Sequence, residues 1–158
     1  MANEIITKDI AEASFTITMA PSGVGLANGS GRSSASVSNS NDYPAALVSI
    51  NIMSGLVAPT AGYGYFIYLL RDTGTVADDG WGGSDASYTH VNAPLLGSII
   101  VTANASTDFA KVFDTAPLGP LGPTWGIAIV NSSGQSIHST EANHDTYYNY
   151  YVPEQSDP

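Results

Sequence analysis

The sequence predicts an all-β fold: an antiparallel β-sandwich of jelly-roll type behind an extended N-terminal arm. Three observations carry the prediction. Short apolar segments recur along the 158 residues, some alternating with polar residues and some continuous, and about eight to ten of them have strand length. Clusters of Gly, Pro, Asn and Ser separate most of these segments and supply turn chemistry. No segment combines a 3.6-residue apolar period with helix caps. A β-propeller would require an internal repeat, and the sequence has none. The expected organisation is an arm over 1–12, one sandwich domain over 13–152 and a tail over 153–158.

Residues 1–12 hold Ile5, Ile6 and Ile10 without strand-length alternation, so they read as an extended arm or a short helical turn. From 13 to 19, Phe15, Ile17 and Met19 alternate with Ser14, Thr16 and Thr18, which predicts a strand with one wet face. The Gly/Ser/Asn tract over 22–42 reads either as a flexible loop or as a thin hairpin of 24–26 and 34–37 turning at Asn28-Gly29; the hairpin is favoured. Residues 46–53 form a strand with Val48, Ile50 and Ile52 inward. The organising element follows at 62–71, the longest continuous apolar and aromatic run. Continuity rather than alternation suggests a central strand covered on both faces, and its two glycines and three tyrosines argue against a buried helix. It leads into an acidic, glycine-rich loop over 72–94 that contains Trp81. Further strands are expected over 95–103, 108–113, 125–130 and 147–152, with a short one over 135–138. The Pro-Leu-Gly-Pro-Leu-Gly-Pro stretch at 117–123 is a stiff connector. The expected core is Phe15, Ile17, Val48, Ile50, Ile52, Phe66, Leu69, Ile99, Val101, Val112, Ile127 and Ile129.

Four Lys and Arg stand against fourteen Asp and Glu, a net charge of −10, which makes nucleic acid and anionic membrane poor partners. Only 11% of residues are charged, so Ser, Thr, Asn, Gly and Ala must fill the surface. The absence of cysteine excludes disulfides, thiolate metal sites and thiol catalysis. The N-terminus has neither a basic start nor an apolar stretch, so no secretory signal is expected.

No motif names a reaction. Gly23-Val24-Gly25-Leu26-Ala27-Asn28 lacks the last glycine and the helix of a dinucleotide fingerprint, and reads as a turn. His138, Glu141 and His144 have metal-ligand spacing on a helix, but they lie in a polar loop and read as solvent-facing. Asp78, Asp79 and Asp85 around Gly80-Trp81-Gly82-Gly83 offer calcium oxygens without the spacing of an EF-hand loop, and read as an acidic solvated loop. The expectation is no cofactor, no required metal and no enzymatic activity. Trp81 is either tucked against its own sheet, the preferred reading, or presented to a partner together with Asp78, Asp79, Asp85 and Tyr88. Tyr147, Tyr148, Tyr150 and Tyr151 place aromatics on both faces of one strand, half inward and half toward a neighbour.

The start Met1-Ala2-Asn3-Glu4, the absence of cysteine, the Ser/Gly/Ala/Asn-rich strands and the tyrosine-rich end resemble, across the whole chain, small virion proteins of tailed bacteriophages of the head-decoration (cement) type. The resemblance implies a protein made in the host cytoplasm that ends on the virion, where it braces the outer surface of the capsid. It also implies a homo-oligomer, a trimer by expectation, with the major capsid protein or another shell protein as partner. The interface would use Ile5, Ile6 and Ile10 of the arm and the four C-terminal tyrosines. The alternative is a carbohydrate-binding module that uses Trp81, Tyr88 and the loop carboxylates.

Overall fold

The computed structural model describes the backbone of residues 5–155 and the side chains of 10–152. The side chains of Ile5 and Ile6 and residues 156–158 of the expected tail therefore lie outside the described residues. The strands are β1 (Ile5–Asp9), β2 (Ala13–Ser14), β3 (Gly31–Ser33), β4 (Val37–Ser38), β5 (Ala45–Met53), β6 (Gly64–Asp72), β7 (Ala86–Tyr88), β8 (Leu95–Ile100), β9 (Asp108–Asp114), β10 (Thr124–Ser132) and β11 (His144–Gln155). Strands make up 43% of the chain, and among the described residues no helix reaches seven residues.

Two antiparallel sheets pack face to face as a β-sandwich. The first has the order β1-β11-β5-β9, with β2 on the same edge of β11 as β1. Residues 5–9 of the expected arm thus lie along β11 as an edge strand, and the Ile10 N–H continues the ladder to the Tyr150 carbonyl at 2.8 Å. The second sheet has the order β7-β3-β10-β6-β8, with β4 following β3 along the edge of β10. If β1/β2 and β3/β4 each count as one interrupted strand and β7 as an addition, eight strand positions remain. Their order is first-eighth-third-sixth in one sheet and second-seventh-fourth-fifth in the other.

The inward faces meet in one core. Phe15, Ile17 and Met19 are buried as their alternation predicts, although only Ala13–Ser14 pairs as a strand. Val48, Ile50, Ile52, Leu69, Ile99, Val101, Ile127 and Ile129 are also buried. Two expected core residues are corrected. Phe66 is only half-buried, because Tyr65, Ile67 and Leu69 take the inner face of β6 and a residue of opposite parity cannot join them. Val112 is 58% exposed on the outer face of β9, where Phe109, Lys111 and Phe113 share the inner parity. An inward lysine disguises that parity. It is accommodated because β9 is an edge strand, and the ammonium reaches out of the sandwich to the Ser98 carbonyl at 3.0 Å. Inward charge on an edge strand also opposes edge-to-edge pairing.

The favoured hairpin within 22–42 does not form. Asn28-Gly29 does turn the chain, but β3 and β4 both pair with β10, and Leu26 is bonded to Met19 and Ile137 instead. Residues 135–138 contribute a single bridge between Ile137 and Ser54. The two-sided burial read from β6 has a concrete cause. Its inner side joins the main core, while Leu70 on its outer side packs with Trp81, Ala93 and Ala128 in a second small core. The loop over 73–94 folds back to close that second core.

Candidate interaction surface

The outer face of the first sheet is a surface that no other element of the described chain covers in full. Strand alternation sends Leu47, Ser49 and Asn51 outward from β5, Ala110 and Val112 from β9, and Asp145, Tyr147, Asn149 and Tyr151 from β11. Register places Val112, Ser49 and Tyr147 in one cross-strand row and Ala110, Asn51 and Asp145 in the next. The small Ser49 and Ala110 side chains between their larger neighbours leave a shallow, mostly apolar depression of about 240 Å³. Carboxylates rim it. Asp108 accepts from the Asn51 amide at 3.3 Å, and Asp114 accepts from the Tyr151 hydroxyl at 2.7 Å. Burial, and then the hydrogen bond to Asp114, push the Tyr151 phenol up to about 12, so it stays protonated and donating at neutral pH.

This arrangement sorts the expected interface residues. Tyr147 and Tyr151 face out, whereas Tyr148 and Tyr150 point inward and pack around Trp125. The tyrosine strand is therefore half core and half surface, as its parity requires. Ile10 packs on this chain's own core rather than standing free. Sequence reasoning missed Val112, Ser49 and Ala110, and the parity of β9 was the signal that could have found them.

The expected partner loop is fastened down instead of presented. Trp81 is buried, and its indole N–H donates to the Ser34 carbonyl at 3.1 Å. Gly126 of β10 lies directly beneath it, where a side-chain carbon would fall 2.8 Å from the indole ring. Asp78 accepts from the Arg71 amide at 3.1 Å and from its guanidinium at 3.4 Å. Asp85 accepts from Arg32 at 2.7 Å and from the Thr18 hydroxyl at 2.5 Å. Asp79 accepts from the backbone N–H groups of Val91, Asn92 and Ala93 at 3.1, 2.6 and 3.0 Å, and from the Tyr88 hydroxyl at 2.5 Å. The three aspartates thus have separate partners and do not converge on a common point. Two of the chain's four cationic side chains are spent on them.

The charge state of Asp79 follows from this geometry. Burial alone would raise its carboxyl, but the hydrogen bonds from Tyr88 and the three amides outweigh burial and hold it at about 2. A carboxyl lowered on folding stabilises fully above its unfolded value near 4, and the contribution fades as pH falls through about 2. Asp79→Asn should therefore lower stability by ~1.5–3 kcal/mol at neutral pH. The wild-type advantage, read from melting temperatures, should be constant from about pH 8 to 5 and shrink between about pH 4 and 2. A gap independent of pH would show that the charge is not what fastens the loop.

His138, Glu141 and His144 also have separate tasks. Both Glu141 oxygens accept backbone N–H groups, from Met19 at 2.9 Å and Ala20 at 2.6 Å. His144 is bonded at both ring nitrogens: Nδ1 accepts from the Met53 N–H at 3.3 Å, and Nε2 donates to the His138 carbonyl at 2.9 Å. Burial lowers its pKa, which keeps it in that neutral tautomer. His138 Nδ1 accepts from the Thr140 N–H at 3.1 Å. The atoms that would ligate a metal are thus holding the loop between β10 and β11 to its neighbours.

The chain matches no protein-family model, and a search of curated proteins finds no significant match.

Proposed function

We propose that this protein is a structural virion subunit: a jelly roll that, as a homo-oligomer with a trimer expected, binds the outer surface of a tailed-phage capsid and stabilises it. The observation that carries this reading is the outer face of the first sheet, with its apolar depression, outward Tyr147 and Tyr151, and acidic rim. Such a face suits a partner with an apolar knob and basic surroundings, for which the charge of −10 favours encounter. The strand orders first-eighth-third-sixth and second-seventh-fourth-fifth support a jelly roll, an architecture that serves capsids and lectins alike. In this reading the arm over 1–12 supplies the edge of the binding face, and the protein is not an enzyme and requires no cofactor or metal. Its partners are copies of itself and the major capsid or another shell protein, and it partners neither nucleic acid nor membrane.

The test is co-sedimentation with capsids lacking the protein. Deletion of residues 2–10 should leave cooperative unfolding in place, because the strands over 13–152 retain their pairings, and should abolish attachment. Avidity makes the loss steep, since every subunit of the oligomer loses its contact together. Attachment at wild-type strength after the deletion would sink the arm's role.

A carbohydrate-binding module is the alternative, and one observation favours it. Tyr68 and His90 stack at 4.0 Å and 19° on the outer side of the second sheet, next to Tyr88. That pair, rather than buried Trp81, would be the platform for a sugar ring.

A further inference from the structure

His138, Glu141 and His144 lie on the segment that leaves β10 and enters β11, a strap across one end of the sandwich. The strap lies close against its neighbours. Ile137 is buried, bridges to Ser54, and donates its N–H to the Leu26 carbonyl at 3.2 Å. Two glycines permit this approach. A side-chain carbon on Gly25 would strike the Ile137 carbonyl, and one on Gly55 the Ser136 carbonyl.

Three hydrogen bonds fasten the strap to the end of β5, and together they close a cycle. His138 N–H donates to the Met53 carbonyl at 3.0 Å. The His138 carbonyl accepts from His144 Nε2 at 2.9 Å, and His144 Nδ1 accepts from the Met53 N–H at 3.3 Å. Both backbone groups of Met53 are thereby held, and the cycle closes only while the His144 ring is neutral with its proton on Nε2. The other titratable side chains of the strap work in the same sense. His138 Nδ1 accepts from the Thr140 N–H, and the Glu141 oxygens accept from the Met19 and Ala20 N–H groups. Each is an acceptor that a proton abolishes. The loop over 73–94 is built differently: Asp79 holds its charge down to about pH 2, and Asp78 and Asp85 are paired with arginines.

We propose that this strap is an acid-released latch: a proton on His144 Nδ1 breaks the cycle and frees the strap from β5. The protonated ring would point an N–H at the Met53 N–H, and two donors cannot bond. The bond to the His138 carbonyl survives, so the ring leaves Met53 together with the strap. Release uncovers Ile137 and Leu26, adding apolar surface beside the already exposed Val24 and Leu56. Burial opposes protonation of the closed form, and the neighbouring His138 side chain adds to that opposition. The His138 carbonyl and the Glu141 and Asp108 carboxylates pull the other way without outweighing burial. The adjacent segments 15–30 and 101–107 contain no Asp, Glu, His, Lys or Arg. The sign follows. A solvated imidazole takes its proton near the ordinary 6.5, and the closed form takes it only at lower pH. The latch is therefore fully closed above about pH 6.5 and loosens as pH falls below that value. It operates whether or not the protein binds a shell.

Hydrogen exchange by NMR on the full chain, corrected for intrinsic rates, tests it between about pH 7.5 and 5. Protection of the Met53, Ile137 and His138 amides should fall about tenfold over that range, since one proton taken up on opening gives up to tenfold per pH unit. The amides of Val91, Asn92 and Ala93 should keep their protection. His144→Asn retains an acceptor near Nδ1 and cannot titrate, so protection of the Met53 amide should no longer depend on pH. A wild-type strap whose protection is unchanged at pH 5 would overturn the proposal, as would a fall that persists in His144→Asn. The wild-type ring supplies a check that needs no variant. Its nitrogen shifts should report Nε2–H at pH 7.5, and the midpoint of ring protonation should coincide with the midpoint of strap opening. A ring that takes its proton while the strap stays protected would equally refute the latch.

Discussion

Trp125→Ala should cost ~3–5 kcal/mol, a large part of the ~5–15 kcal/mol that holds a domain of this kind together. Trp125 is fully buried on β10 at the centre of the aromatic cluster. Phe15 meets it edge-on at 5.3 Å and 85°, Tyr148 at 5.3 Å and 79°, and Tyr150 at 5.9 Å and 62°. Its indole N–H donates to the Tyr150 hydroxyl at 2.8 Å, and that hydroxyl donates onward to the Ser38 carbonyl at 3.3 Å. Truncation removes the apolar contacts of both sheets at once and leaves a cavity that rigid strands on either side cannot close. Urea unfolding is the measurement, and the midpoint should fall with little change in slope. Trp125→Phe should recover most of the loss, since the ring is partly replaced and only the hydrogen bond to Tyr150 is missing. A penalty below about 1 kcal/mol for the alanine variant would mean that the two sheets do not meet at this cluster.

Trp81→Ala should be the second most damaging change, at ~3 kcal/mol, with a different character. Its ring fills the space between the loop over 73–94 and the outer side of the second sheet, over Leu70, Ala128 and Gly126. Loss of the ring should release the loop while the core between the sheets persists. Hydrogen exchange should therefore speed up at the loop amides bonded to Asp79 and remain slow in β5 and β11. The same variant separates two roles for this tryptophan. A structural Trp81 loses stability when truncated, whereas a ligand platform would keep its stability and lose glycan binding.

Strand existence was legible because it depends on local period. Val48, Ile50 and Ile52 alternate with polar neighbours, and all three are buried. The run over 62–71 announced its two covered faces by being continuous, and the tyrosine strand divides between core and surface as its numbering requires. Parity failed where a long amphipathic side chain interrupted it. Lys111 on the inner side of β9 made Val112 look like core, because no local feature of the sequence marks β9 as an edge strand.

The candidate surfaces were less legible, since their partners are distant in the chain or lie in the backbone. Asp79 has no Lys or Arg to announce its role; its main partners are three consecutive amides. Asp85 finds Arg32 across 53 positions, and Glu141 finds the amides of Met19 and Ala20 more than 120 positions away. A carboxylate in sequence shows only that it must be solvated or partnered, not which it will be.

Side-chain chemistry at periods of two thus determined by itself that this protein is an antiparallel β-sandwich, which segments form its long strands and, for most of those, which face is dry. The tertiary structure alone decided the order of the strands, the folding of the acidic loop onto the second sheet and the acid-rimmed depression on the first. Apolar periodicity acts over neighbouring residues and is written along the chain. Pairing, charge placement and loop capture depend on which distant segments the closed sandwich brings within hydrogen-bonding reach.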